Sequence, residues 1–132
     1  VVMIDEKKHI LFLTKTKSGR RHDKRLADKQ ALFEGIPESV TVWADTGFLG
    51  AVKQHHNTMI PKKATKSNPL TYQEKQDNKV ISGLRVIVEH AIGGIKRFRS
   101  VADIYRNKKA FLEDRFLRVA AGLWNIHLQH TA

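Results

Sequence analysis

Residues 71–97 carry an apolar repeat of about 3.6 residues, which predicts one long helix. Thr71 and Glu74 have the spacing of a capping box, so the helix is expected to begin there and to run to the end of that stretch. Gly93 and Gly94 lie inside the run and predict local strain. Most of the apolar residues need a core, and the helix must therefore pack against other elements.

The rest of the chain supplies those elements. A hairpin is predicted at 1–16, a short helix at 23–34, a buried strand at 39–45, a short strand at 58–61 and a final amphipathic helix at 108–130. This order predicts an α/β sheet packed by helices, in a single domain that spans 1–132. Trp43 is expected in the core. Trp124 is expected on the apolar face of the last helix, together with Phe116 and Leu123.

The chain is strongly basic, with 24 Lys and Arg against 13 Asp and Glu and a formal net charge of +11. An evenly basic domain favours a polyanionic partner, most simply nucleic acid, and a basic surface that binds nothing is the alternative.

The absence of cysteine excludes disulfides and thiolate metal sites. No apolar run reaches the ~18 residues of a membrane helix, so no membrane partner is expected. The chain opens at Val1 without Met or a signal peptide, which suggests a fragment.

One face of the long helix is polar. At about 100° per residue, four residues fall within about 40° of Glu89, and they are Asn78, Ser82, Arg85 and Lys96. A solvated face with an ordinary Glu–Arg pair is one interpretation of this polar stripe. A second carboxylate, Asp45, closes an apolar strand, where a charge needs a partner. An Asp at a strand end and a Glu on a neighbouring helix are oxygen ligands that suit Mg²⁺, so a metal site is the other interpretation.

The stretches "WADTGFLG", "MIPKKA" and "LTYQEKQDNKVISGLRVIVEHAIGGIKRF" resemble the DDE transposases of bacterial insertion sequences, in the branch that shares its domain with Harbinger-type transposases. The resemblance covers nearly the whole chain. The helix signature of that family is Tyr-x2-Arg-x3-Glu-x6-Lys, which Arg85, Glu89 and Lys96 match, while Ser82 stands at the Tyr position. The hairpin followed by "GRRHD" resembles the segment between the first two acidic residues of such enzymes.

The resemblance implies a ribonuclease-H-like mixed sheet flanked by helices and an Asp-Asp-Glu triad that binds two Mg²⁺ or Mn²⁺ ions. Asp45 matches the second Asp and Glu89 the Glu, as catalytic residues and metal ligands. The first Asp is expected on a central strand upstream of Val1, so the sheet is expected to be incomplete and this stretch inactive alone. Asp5 cannot replace that Asp, because it lies in the hairpin turn.

The implied partner is duplex DNA at transposon ends, in the bacterial cytoplasm with the nucleoid, together with self-association or an upstream transposase segment. The residues expected to contact DNA are Lys62, Lys63, Arg85, Lys96 and Arg97. Lys66 belongs to the same basic loop as Lys62, and that loop is equally consistent with a solvated surface.

Two functions remain open: a transposase catalytic region that cleaves and joins DNA, and a non-catalytic DNA-binding remnant or inhibitor of the complete enzyme. An RNA-binding module explains the charge but not the Asp45–Glu89 pair. His22-Asp23 matches a recurring pair of the family, with a helix cap at Asp23 as the alternative. His55-His56 is most simply polar loop surface.

Overall fold

The computed structural model describes residues 1–16, 25, 27–28, 30–103, 109 and 111–131. Within these residues the strands are β1 (Val2–Ile4), β2 (Ile10–Leu13), β3 (Val42–Trp43) and β4 (Thr58–Met59), and the helices are α1 (Tyr72–Lys96), α2 (Arg99–Ala102) and α3 (Leu112–Thr131). The chain divides into two compact units. We call Val1–Ser18 with Val86–Ala132 the hairpin unit, and Gly19–Arg85 the middle unit. The fold is mixed α/β, as the order of elements predicts.

The hairpin unit begins with β1 and β2, which pair antiparallel. Asp5 builds the turn between them, because its Oδ1 accepts the backbone N–H groups of Lys7 at 2.9 Å and His9 at 2.8 Å. Lys8 turns the chain with a φ of 72°. The predicted hairpin and the position of Asp5 in its turn are therefore confirmed.

Helix α3 packs on this hairpin through side chains that bond its backbone. Asn125 accepts the Ile10 N–H at 2.8 Å and donates to the Ile10 carbonyl at 3.0 Å, as a neighbouring strand would. The Trp124 indole N–H donates to the Lys8 carbonyl at 3.0 Å. The buried core of the unit consists of Ile10, Ala91, Ile95, Ala120, Ala121 and Trp124. Trp124 thus lies on the packed apolar face of α3, as predicted, and belongs to the core.

Phe116 and Leu123 do not share the environment of Trp124. They are 38% and 44% exposed, so the prediction that they form its apolar face is wrong. The packed face of α3 is instead made by Ala120, Ala121 and Trp124. Small residues on this face let the backbone of α3 approach its neighbours and leave room for the indole. Periodicity alone does not distinguish such a face from one lined by large apolar residues.

Helix α1 begins as predicted. The Glu74 N–H donates to Thr71 Oγ1 at 3.2 Å, and the Thr71 N–H donates to Glu74 Oε2 at 3.0 Å, which completes the capping box. The helix continues through Gly93 and Gly94, and neither has a φ in the left-handed region. The predicted strain is therefore wrong. Gly94 instead faces the ring of Trp124 so closely that a Cβ would overlap it.

In the middle unit, β3 and β4 pair in parallel, with Val42 opposite Thr58 and Trp43 opposite Met59. Two 3-10 turns, Thr46–Phe48 and Ala51–Lys53, connect them. His55 is 2% exposed, and its Nε2 lies 2.8 Å from the Val40 carbonyl oxygen. This histidine is therefore buried and supports the strand pair. The prediction that it is polar loop surface is wrong for His55.

Two predictions for the middle unit need correction. The strand expected at 39–45 is confined to Val42–Trp43, and Trp43 is 43% exposed and not in the core. A side chain that projects from a strand is buried only where another element packs over that face of the sheet. In the helix expected at 23–34, residues 25 and 27–28 are helical and a turn begins at Gln30. Residues 17–24, 26 and 29, with the His22-Asp23 pair, lie outside the described residues.

Among the described residues the strands form two separate two-stranded sheets, β1–β2 and β3–β4. The ribonuclease-H-like sheet, its incompleteness and the single-domain organisation stay predictions.

Candidate metal and nucleic-acid site

Asp45 lies two residues beyond β3, at the edge of the sheet where the parallel strands β3 and β4 both end. Its position at the carboxyl end of a strand is as predicted. Its Oδ1 accepts the Thr46 N–H at 2.7 Å and so caps the 3-10 turn that follows. The local sequence thus holds the backbone and one carboxylate oxygen of Asp45, and leaves Oδ2 for another partner.

That partner is Arg85 of α1. Its guanidinium Nη2 donates to Asp45 Oδ2, and the side chains of Arg85 and Asp45 are 60% and 47% exposed. Both residues belong to the middle unit. An ion pair this exposed is worth about 0–1 kcal/mol, so it orients the carboxylate without binding it tightly.

A second member of the polar stripe contacts the segment that follows β4. Asn78 accepts the Lys62 N–H at 2.9 Å and donates to the Lys62 carbonyl at 2.8 Å. Ser82 lies between Asn78 and Arg85 and donates to the Asn78 carbonyl at 2.9 Å. The stripe is therefore not simply a solvated face, because it holds the segments at the carboxyl ends of both β3 and β4.

Lys62 is also held through its side chain. Its Nζ lies 2.7 Å from Glu74 Oε1. This contact raises the pKa of the Lys62 ammonium, and the same contact, with the Thr71 N–H, lowers the pKa of Glu74. Lys62 thus forms an ion pair with Glu74, which the sequence did not predict. Lys63 is exposed and forms no ion pair with a described residue.

Three predicted site residues belong to the hairpin unit: Glu89, Lys96 and Arg97. All are exposed. The Arg97 guanidinium lies 5.7 Å from the centre of the Trp124 ring, so it has a packing role besides its charge. Because Asp45 and Glu89 fall in different units, their joint role as metal ligands stays a prediction. The described residues contain no group of three His, Asp or Glu side chains arranged to hold a metal ion.

Sequence reasoning missed the roles of Glu74 and Asn78. The capping-box spacing indicated one bond of Glu74, and the stripe included Asn78, but their contacts with Lys62 join residues 12 and 16 positions apart. Such contacts depend on where the loop after β4 returns to α1, and no local sequence pattern predicts that position.

Comparison with known proteins agrees with the family resemblance of the sequence. Residues 1–125 match the family described as "DDE superfamily endonuclease". The chain is 32% identical over 110 residues to the "Probable transposase for insertion sequence element IS702" of Microchaete diplosiphon, a match that covers 83% of this chain and 39% of the relative. It is 33% identical over 72 residues to the "Transposase for insertion sequence element IS1106" of Neisseria meningitidis serogroup B, covering 50% of this chain and 25% of the relative.

The chain therefore spans about two fifths of the length of the first relative and a quarter of the second. No solved structure matches it. None of the helices in the described part of the chain combines the length and the apolar character required to cross a membrane.

Proposed function

Because the chain belongs to the DDE superfamily endonucleases, we propose that it forms part of the catalytic region of an insertion-sequence transposase, which cleaves and joins DNA strands with Mg²⁺ or Mn²⁺. Asp45 and Glu89 are the proposed catalytic carboxylates and metal ligands, within a ribonuclease-H-like domain. The main support is Asp45 itself, which ends a parallel strand and is oriented by Arg85, an arginine one helical turn before Glu89 in the family signature.

The chemistry of the proposed ligands fits these ions. Asp and Glu carboxylates are the hard oxygen donors that Mg²⁺ and Mn²⁺ prefer, and Asp45 is accessible to solvent. Two bound ions would activate a water and stabilise the leaving oxygen of the cleaved phosphodiester. The Thr46 N–H keeps Asp45 Oδ1 in place, while the Arg85 guanidinium holds Oδ2 and must release it when a cation binds.

The same proposal assigns the basic residues to the DNA backbone. A net charge of +11 supplies phosphate contacts, and no base-reading motif is recognisable, so binding is weak and falls steeply with salt. Lys63 and Lys96 are exposed and carry these contacts directly. Lys62 and Arg85 contribute positive charge while they are paired with Glu74 and Asp45. Arg97 does so while its guanidinium lies against the ring of Trp124.

The 132 residues supply two of the three carboxylates of the triad. We therefore expect no cleavage by this stretch alone. The proposed partners are transposon ends and either a second copy or an upstream transposase segment, which would add the first Asp and a central strand. The second candidate is a non-catalytic DNA-binding remnant or inhibitor of the complete enzyme, for which the net charge of +11 supplies the DNA contacts.

Metal binding and cleavage test the proposal together. Calorimetric titration of the chain with Mn²⁺ should show weak binding that Asp45→Asn and Glu89→Gln each reduce, whereas Glu38→Gln, which removes an exposed carboxylate paired with His56, should leave it unchanged. Arg85→Gln should raise the affinity for Mn²⁺ by about two- to fivefold, because the cation no longer displaces a guanidinium worth up to ~1 kcal/mol.

Cleavage distinguishes the two candidates. A longer polypeptide that joins this chain to the first Asp of the triad should nick DNA ends with Mg²⁺ or Mn²⁺, and Asp45→Ala or Glu89→Ala should each abolish that activity. Efficient nicking by the 132 residues alone would contradict the expectation of an incomplete triad. Nicking that survives Glu89→Ala would contradict the role of Glu89, and a joined polypeptide that binds but never cleaves DNA would favour the remnant.

A further inference from the structure

Residues 62–71, which we call the basic loop, connect the segment after β4 to helix α1. Residues 62–69 are all exposed, and the loop carries Lys62, Lys63 and Lys66. Exposed loops of this composition are usually mobile, because few contacts oppose their conformational entropy. This loop nevertheless has contacts at its base, formed by its end residues 62 and 71, and at its tip, residues 65–68.

A single carboxylate closes the base. Glu74 Oε1 lies 2.7 Å from the Lys62 ammonium at one end of the loop, and Glu74 Oε2 accepts the Thr71 N–H at 3.0 Å at the other end. Asn78 adds two bonds to the backbone of Lys62. The two ends are thus joined through neighbouring turns of one helix.

The tip is closed by its own backbone. Thr65 and Asn68 exchange two N–H to carbonyl bonds of 3.2 Å each, and Thr65 Oγ1 accepts the Asn68 N–H at 3.1 Å. With both base and tip bonded, the loop has a defined shape before it meets any ligand. A preorganised loop loses less entropy on binding.

The charge of this surface indicates the ligand. Residues 62–79 contain five lysines, at 62, 63, 66, 75 and 79, against two acidic residues, Glu74 and Asp77. Lys63, Lys66, Lys75 and Lys79 are exposed and form no ion pair with a described residue. A run of lysines along one exposed loop and the following helix complements the phosphates of duplex DNA.

We propose that Glu74 is a positioning residue for DNA binding: although anionic, it holds the basic loop in the shape that presents Lys63 and Lys66 to the phosphates. The inference rests on the proposed function, because it takes DNA as the ligand. It adds that an acidic residue within the interface favours binding, which the charge of the surface alone does not predict.

The sign of one substitution tests this. If charge alone decides, Glu74→Ala removes an anion and tightens DNA binding. If Glu74 positions the loop, Glu74→Ala weakens binding about three- to tenfold, because the lysines must be ordered at the moment of binding. Asp77→Asn is the matched control: Asp77 bonds Gln73 and acts on Lys62 only through its charge, so the substitution removes an anion from the same helix turn without removing a hydrogen bond to the loop. It should tighten binding slightly.

Binding is measured by fluorescence anisotropy with a short duplex of mixed sequence over a series of salt concentrations. Glu74→Ala should also flatten the salt dependence by about one phosphate contact. Lys63→Ala should cost less affinity in the Glu74→Ala background than in the wild type, since Lys63 is then no longer held in position. A purely structural role of Glu74 would leave these two costs equal.

Glu74→Gln separates positioning from loss of the helix cap. The amide oxygen still accepts the Thr71 N–H, but the side chain has no charge for Lys62, so binding should be weakened to a smaller extent. Circular dichroism shows whether each variant keeps α1. Binding by Glu74→Gln that equals or exceeds that of the wild type would overturn the inference. Wild-type protein that shows no salt-dependent DNA binding would instead overturn the proposed function.

Discussion

Replacing Gly94 by alanine tests how the hairpin unit is packed. Gly94 is buried inside α1, and a Cβ added there would lie 2.5 Å from Cδ2 of Trp124 and closer still to Cε3 and Cζ3. Carbon atoms in contact prefer separations of about 3.5–4.0 Å. The indole cannot easily move away, because its N–H is bonded to the Lys8 carbonyl and Trp124 as a whole is only 8% exposed.

Two effects of opposite sign decide the outcome. Alanine is favoured over glycine by about 1 kcal/mol in a helix interior. Overpacking a well-filled core costs about 1–3 kcal/mol, occasionally more, and overlap with three atoms of a held ring lies at the upper end. We therefore expect Gly94→Ala to lower the free energy of unfolding by about 1–2 kcal/mol.

The neighbouring glycine provides the control. A Cβ at Gly93 meets nothing within 4 Å, so Gly93→Ala gains the helix propensity without the overlap and should be about 1 kcal/mol more stable than the wild type. Urea denaturation followed by circular dichroism gives both values, and the propensity effect cancels when the two variants are compared. Equal stability of Gly93→Ala and Gly94→Ala would refute the close contact between Gly94 and Trp124.

Two further predictions concern buried polar groups of the hairpin unit. Asn125→Ala leaves the Ile10 N–H and carbonyl without their partner and should destabilise the protein by about 1–3 kcal/mol, so an unchanged urea midpoint would contradict it. Burial raises the pKa of Asp114, but hydrogen bonds from Thr16, together with the charges of Arg118 and Lys15, outweigh it and the pKa lies below its ordinary value. Its stabilisation is therefore complete above the unfolded pKa of about 4 and is lost as the pH falls through the folded pKa. On acidification the wild type should lose more unfolding free energy than Asp114→Asn, and parallel pH profiles would count against this.

Family membership was predictable because it depends on residues close together in the sequence. Arg85, Glu89 and Lys96 match a signature within one helix, and the match to the DDE superfamily endonucleases confirms the resemblance. Asp45 was correctly expected at the end of a strand, since a short apolar run that stops at a carboxylate is a local pattern.

What the sequence by itself determined is local: the capping box of α1, the hairpin around Asp5 and the strand end at Asp45 arise from residues within a few positions of one another. Only the tertiary structure decided which residues of the polar stripe bind which segments, because Arg85 meets Asp45 across 40 residues and Asn78 meets Lys62 across 16. It also decided which tryptophan is buried. Trp43 and Trp124 both stand in apolar runs, and burial depends on whether another element, such as the glycine face of α1, comes close enough to cover the ring.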